Sequence, residues 1–340
     1  MKEALDAVIR RGLDAIDAED LGAAQEALDE ASRLAGENHV QVLHLAGMLA
    51  WAEGRIDNAA GYLMQAVDLG SDRAEIYLDC AECLFIHGDD LDEAEAVVRS
   101  LLERDDIDEG ASNEAKLLLA QIRLDDDDPD ESLELLHEVS PEMQKHPAYL
   151  STYGAVLMSL GRNDDATAAL SEAVAQAPED PDLHYQLGLT REAAGDREGA
   201  AAAMLKVLEL DAAGSGDDEE NALTPEEAAD LITRFEEVLE EIPDPVLRLI
   251  ASAPVSVQER PTPDQVRAGV NPRGVVAFVG QAKLGDDDEA NLEGIVIMRD
   301  LMLESIDDDD EIPEVFIVGL LEEIRRFFRE DSLGMASVGE

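Results

Sequence analysis

Several things are scarce in this chain, and each scarcity excludes something. Only five of its 340 residues are lysine (Lys2, Lys116, Lys145, Lys206 and Lys283), and the net charge is −55. Binding a phosphate backbone needs clustered Lys and Arg, so a nucleic-acid footprint is excluded. An anionic membrane surface repels such a chain for the same reason. Aromatic residues make up 4% and there is one tryptophan, Trp51, which favours helices packed through Ala and Leu over a β-rich fold. No run of 18 apolar residues is present, so no membrane span is expected. The opening MKEALDAVIRRGLD is amphipathic and acidic, unlike a signal peptide, and a cytoplasmic location is expected. The acidity itself has two readings, adaptation to a salty milieu or plain acidic drift.

Cysteine is scarce as well. Cys80 and Cys83 form a CAEC motif. A CxxC pair serves as a redox couple or as half of a zinc site. Here no second Cys pair exists and the motif lies within a helical pattern, so both residues are expected in the core. The acidic runs Asp125–Asp128, Asp286–Asp288 and Asp307–Asp310 lack the alternating ligands, central glycine and closing glutamate of a calcium loop. They are read as solvated loops.

What is abundant is a repeat. Tyr153-Gly154, Leu157, Gly161, Ala166, Leu170 and Ala173 recur, shifted by 34, as Leu187-Gly188, Arg191, Gly195, Ala200, Met204 and Val207. Towards the N-terminus the same positions hold Leu119-Ala120, Asp127, Ser132 and Leu136, then Cys80-Ala81, Gly88 and Ala94, then Ala46-Gly47, Gly54, Ala59 and Leu63. A divergent first unit begins near Gly12-Leu13 and runs through Ala24 and Ala31. Each unit reads as helix, turn, helix. Small residues (Gly47, Ala81, Ala120, Gly154, Gly188) let the paired helices approach, and Gly54, Gly88, Gly161 and Gly195 end the first helix where φ > 0 is needed. One unit cannot bury its own apolar face, so neighbours must stack.

In spacing and residue type these positions resemble the tetratricopeptide repeat over about residues 6–212. The resemblance implies an α-solenoid that binds a protein or peptide on the concave face lined by the first helix of each unit. Those positions carry His44, Met48, Leu78, Glu82, Ser151, Ala155, Tyr185 and Leu189. The Lys and Asn with which some members clamp a C-terminal carboxylate are missing, so a chaperone-tail partner is not expected. For each residue singly, ordinary helix packing competes with this role.

After Asp211 the composition changes. Residues 212–223 read as an acidic flexible linker. Thr224-Pro225-Glu226-Glu227 opens a helix with a capping box, and Ala228, Leu231, Ile232, Phe235, Val238, Leu239 and Ile242 follow at helical spacing before Pro243 and Pro245. Strand candidates are 255–257, 275–279 and 295–298, with a polar turn at 285–289 between the last two. A final helix spans about Val315 to Arg329 with Val318, Leu321, Ile324, Phe327 and Phe328 as its apolar stripe.

This order, with Phe235…Glu241-Ile-Pro243, Val255-Ser-Val257, Val276-Ala-Phe-Val279-Gly280, Ile295-Val-Ile-Met-Arg-Asp-Leu301 and Gly319-Leu-Leu-Glu-Glu-Ile-Arg-Arg-Phe-Phe328, resembles a minimal zincin-like metallopeptidase family of bacteria. In that family the last helix carries HExxH, two zinc-binding histidines around a glutamate base. The resemblance puts Glu322 at the first histidine, Glu323 at the base and Arg326 at the second histidine. Arginine has no lone pair to give a metal. All six histidines (His39, His44, His87, His137, His146, His184) precede this segment. Glu322 and Arg326, an i,i+4 pair with the acid first, are expected to pair in the space of the missing metal. Glu323 is expected to be one more surface glutamate. Asp331 falls near the family's third-ligand region.

The sequence therefore implies a mainly α fold: a tetratricopeptide α-solenoid over 1–211, the linker, a degenerate zincin-like α+β domain over 224–334, and a tail at 335–340. The expected function is a non-enzymatic interaction scaffold with a protein or peptide partner, no metal and no cofactor. Two rivals stand beside it, an active metallopeptidase with unusual ligands and an acidic holdase-like chaperone.

Overall fold

The structure is a computed structural model that describes residues 2–87, 91–214, 222–241, 250, 253–284, 290–306 and 308–333. Gly88, residues 215–221 of the expected linker, Ile242, Pro243, Pro245, the 285–289 turn with Asp286–Asp288, Asp307, the side chain of Asp331 and the tail lie outside the described residues. The chain divides into two compact units, Met1–Gln176 and Ala177–Glu340.

The first unit is built of helical pairs. They are α1 (Lys2–Asp17) with α2 (Leu21–Ala35), α3 (Val40–Ala52) with α4 (Ile56–Asp68), α5 (Ala74–His87) with α6 (Leu91–Leu102), α7 (Glu109–Asp125) with α8 (Pro129–His137), and α9 (Pro147–Ser159) with α10 (Asn163–Gln176). Asp residues do the starting: Asp20, Asp108 and Asp128 each accept a backbone N–H from three residues ahead, satisfying a donor the helix leaves open. Glycines do the stopping. Gly54 and Gly161 adopt φ of 73° and 71°. Glu19 and Asp127, both at φ 58°, make the same turn without glycine, and Asp127 stands where the 34-residue shift places it.

Within each pair a small residue sets the spacing. A Cβ added at Gly47 would lie 2.6 Å from Leu63, and one at Gly154 the same distance from Leu170. Ala59, Ala94 and Ala166, where the second helix crosses the first, are fully buried. Cys80 and Cys83 are buried free thiols in the core shared by α3–α7, as expected of packing residues. Burial, aided by the charge of Cys83 and nearby carboxylates, pushes the Cys80 thiol up to about 12.

The second unit holds a sixth pair, α11 (Pro181–Ala193) and α12 (Arg197–Gly214), together with α13 (Pro225–Glu241) and a small sheet. In the sixth pair a Cβ at Gly188 would meet Met204 at 2.7 Å, and Gly195 takes φ 83°. The capping box of α13 forms: Thr224 Oγ1 accepts from Glu227 N (3.2 Å) and Glu227 accepts from Thr224 N (3.4 Å). The strands are β1 (Val255–Gln258), β2 (Val276–Leu284) and β3 (Ala290–Met298), in the order β1-β3-β2, with β1 parallel and β2 antiparallel to β3. Two short helices, α14 (Pro263–Arg267) and α15 (Arg299–Leu303), flank them, and α16 (Ile312–Leu333) closes the unit. Phe235 of α13, Ile295 and Ile297 of β3, and Phe316, Leu320 and Phe328 of α16 form its core.

The rotation of α16 differs from the expected one. Val318 and Leu321 are exposed, at 50% and 42%, while Ile312, Phe316, Leu320, Ile324 and Phe328 are buried. These five follow an i,i+4 row, and that row tilts the apolar face so that Glu323 turns inward and Glu322 outward.

Candidate functional site

Among the described residues two concavities bear on the expected sites, one in each unit. In the first unit a groove of about 1340 Å³ runs along the first helices of successive pairs, α1, α3 and the start of α5. Leu5, Ile9 and Leu13 on α1 and Val40 and Met48 on α3 give it an apolar floor. Its polar wall carries Asp6, Asp17, Asp72, Glu75 and Asp79 against Lys2, Arg10 and Arg73. Arg73 is paired with Glu75 at 2.8 Å, and Asp6 takes a hydrogen bond from Gln41 at 2.8 Å. His44 lies at the groove's base, 2% exposed, with Nε2 2.6 Å from Asp79 Oδ2. Its Nδ1 is buried without a partner among the described residues.

Of the residues singled out from sequence, His44 and Met48 meet in this groove. Leu78 packs partly into the neighbouring core, and Glu82 is exposed on α5. Burial, with help from Asp79, raises the Glu82 carboxyl above its usual range. Ser151 and Ala155 are half-buried on α9. The wall residues Asp6, Arg10 and Asp79 were not anticipated. Asp79 follows Leu78 by one residue, so a helical wheel of α5 carries the signal.

Tyr185 proves to be an internal contact. Its hydroxyl accepts from Asn271 Nδ2 at 2.9 Å, and the Arg273 guanidinium sits 5.3 Å from its ring centre. The same guanidinium bonds both oxygens of Asp211 (2.9 Å each) and Asp182 (2.6 Å). The two carboxylates hold the Arg273 pKa above its ordinary value despite partial burial. Tyr185, one of the positions expected to face a partner, is thus in contact with the chain's own 271–273 loop. Leu189 lines the second concavity, a cavity of about 510 Å³ among α11, α12, the 265–271 segment, β2 and α16.

The positions that the resemblance aligns with HExxH also correct an expectation. Arg326 does not pair with Glu322. It donates from Nε to Glu323 Oε2 (2.7 Å) and from Nη2 to Glu323 Oε1 (2.9 Å), and from Nη1 to the Gly269 carbonyl. Glu323, at 3% exposure, is not a surface residue, and its Oε1 also accepts the Phe278 N–H at 2.9 Å. Glu322 is exposed. The reason is the face of α16 described above: the inward position is 323, so the arginine reaches back three residues instead of four. Burial pulls the Arg326 pKa down, but the hydrogen bonds and charge of Glu323 more than offset this, and the guanidinium stays charged. Every Glu323 oxygen is thus spoken for by protein donors.

Models of tetratricopeptide-repeat families match residues 44–108, 78–189 and 161–224. The chain carries tetratricopeptide repeats. Solved structures of similar fold include the type IV pilus biogenesis factor PilW, at 13% identity and TM-score 0.54, covering 62% of this chain and 99% of that one. They also include pilF of Pseudomonas aeruginosa, at 16% identity and TM-score 0.52, covering 62% of this chain and 92% of that one. At these identities the likeness concerns the fold of the tetratricopeptide array alone. No curated protein matches the chain. Among the described residues no helix is long and apolar enough to cross a membrane.

Proposed function

We propose that this chain is a non-enzymatic interaction scaffold whose groove along α1, α3 and α5 holds a segment of a partner protein. The observation that carries the reading is the groove itself, about 1340 Å³ with an apolar floor and a mostly acidic wall, on the first helices of successive repeats. An acidic wall over an apolar floor suits a segment in which Lys or Arg alternates with Leu-like residues. A carboxylate-terminated chaperone tail lacks both its clamp and a favourable field here, and a nucleic acid is repelled.

In this reading residues 224–334 are a zincin-like fold that no longer hydrolyses peptides. A general base must be able to take a proton from water. Glu323 instead accepts three protein donors, and a guanidinium stands where a second histidine ligand is required. The domain then serves as structure, in a chain for which we assign no metal and no cofactor.

The test selects peptides from a random array against the full-length chain and against Met48→Ala. Selected peptides are expected to be basic and apolar and to bind the variant about tenfold more weakly, a change of ~1.4 kcal/mol. Equal binding to the variant, or a preference for acidic peptides, sinks the groove assignment. The domain assignment is tested separately by mass-spectrometric metal content: one tightly held zinc per chain, with peptidase activity lost in Glu323→Gln, would restore the metallopeptidase reading.

A further inference from the structure

The cavity of the second unit has the chemistry of a small-ligand site, and nothing in the scaffold reading uses it. Its volume of about 510 Å³ falls in the range of roughly 300–1,000 Å³ typical of pockets for small molecules. Its floor is apolar, made by Met204, Val266, Phe278 and Phe327. Met204 is held in place because it packs on Gly188, where a Cβ would lie 2.7 Å away. Phe278 and Phe327 meet edge to face at 5.5 Å. The walls are preformed by packing, so a ligand need not order them.

The charge at the rim is the reverse of the chain's. Against a net charge of −55 the cavity gathers Arg197, Arg267 and Arg326, with Glu192 as the one acidic lining residue. The three arginines are not equivalent. Arg326 is committed to Glu323 and the Gly269 carbonyl. Arg267 is paired with Asp264 at 2.7 Å. Arg197 is exposed and has no ion-pair partner among the described residues.

We infer that this cavity binds a small monocarboxylate with an apolar chain, its carboxylate on Arg197 and its chain over Met204, Phe278 and Phe327. A planar guanidinium takes a carboxylate through two parallel N–H···O bonds, so one uncommitted arginine suffices. A phosphate dianion needs a second cation, and Arg326 and Arg267 already have carboxylate partners. A ligand cation meets three guanidinium groups at the rim. The apolar chain supplies the area term, about 0.8 kcal/mol for each buried methylene.

The probe is decanoate, titrated into the full-length chain by calorimetry and followed by the methyl resonance of Met204. We expect one decanoate per chain, a shift of the Met204 signal, and 1-decanol and decyltrimethylammonium binding at least about tenfold more weakly. Arg197→Gln, a change at an exposed residue, is expected to weaken decanoate about tenfold and leave 1-decanol unchanged. Ala201→Trp, which fills the cavity, should abolish both. Equal decanoate binding to wild type and Arg197→Gln, an unmoved Met204 signal, or 1-decanol matching decanoate overturns the site. Tighter binding of decyl phosphate than of decanoate overturns the monoanion assignment. None of these outcomes depends on whether the groove of the first unit binds a peptide.

Discussion

Glu323 and Arg326, three residues apart on α16, form a two-bond ion pair of 2.7 and 2.9 Å whose acid is 3% exposed and also caps the Phe278 N–H of β2. This pair ties helix, strand and, through the Gly269 carbonyl, the segment after α14. Removing one partner strands the other. Glu323→Leu alone should destabilise the fold by about 3 kcal/mol, because it leaves a partly buried guanidinium without its carboxylate and the buried Phe278 N–H without an acceptor. Adding Arg326→Met should recover the share of that loss due to the unpaired charge, since an apolar pair of similar volume replaces the ionic one, while the Phe278 N–H stays without an acceptor. Urea unfolding of the single and double variants measures both; additive losses would refute the account.

Helix spacing gives a second prediction. At Gly47 an added Cβ lies 2.6 Å from Leu63, whereas at Gly61, in the same helical pair, it meets nothing within 4 Å. Gly47→Ala should cost about 1–3 kcal/mol by overpacking. Gly61→Ala should stabilise by about 0.5–1 kcal/mol through helix propensity. Opposite shifts of the thermal midpoint are the required result.

Glu19 and Asp127 turn at φ 58° where other repeats use glycine. A left-handed side chain there is strained by about 1 kcal/mol. Glu19→Gly should therefore raise stability by roughly 0.5–1 kcal/mol, with Asp127→Gly gaining less because Asp tolerates this region. Chemical denaturation reads both, and a loss of stability in Glu19→Gly would contradict the turn geometry.

The cysteines carry a pH prediction. Cys80 is held at about 12, above its ordinary 9.0, by burial first and then by the charge of Cys83 and nearby acids, and Cys83 is raised by burial. Burial favours the neutral thiol, so the folded state binds its proton more tightly than the unfolded chain does. The resulting stability is fully present below about pH 9 and drains away as pH rises towards about 12. Both thiols should resist a disulfide reagent at pH 8 until denaturant is added. Rapid native-state labelling would show that Cys80 is not buried.

The sequence made the repeat legible because one physical constraint recurs in it. Helices that must touch need Gly or Ala at the contact and a left-handed residue at the turn, and both recur, 34 residues apart at Gly154 and Gly188 and at Gly161 and Gly195, and again in the second pair at Gly47 and Gly54. The strands were legible for the same reason, as short β-branched runs. Charge at the sites was not. Which carboxylate faces inward on α16 depends on a helix rotation of less than one residue, and the exposed Val318 and Leu321 mimic a core stripe. The Tyr185–Asn271 and Arg273–Asp211 contacts join residues distant in sequence, and no local pattern encodes such partners.

The strand order β1-β3-β2 has a consequence for synthesis. The middle strand is the last of the three to be made, and Val255 finds its partner only at Ile295. Each helical pair, by contrast, closes on neighbours it already has, as Gly47 does on Leu63. On the ribosome the repeats can therefore stack in order as they emerge, each pair on the one before it, while β1 waits as an unpaired strand until β3 has cleared the exit tunnel.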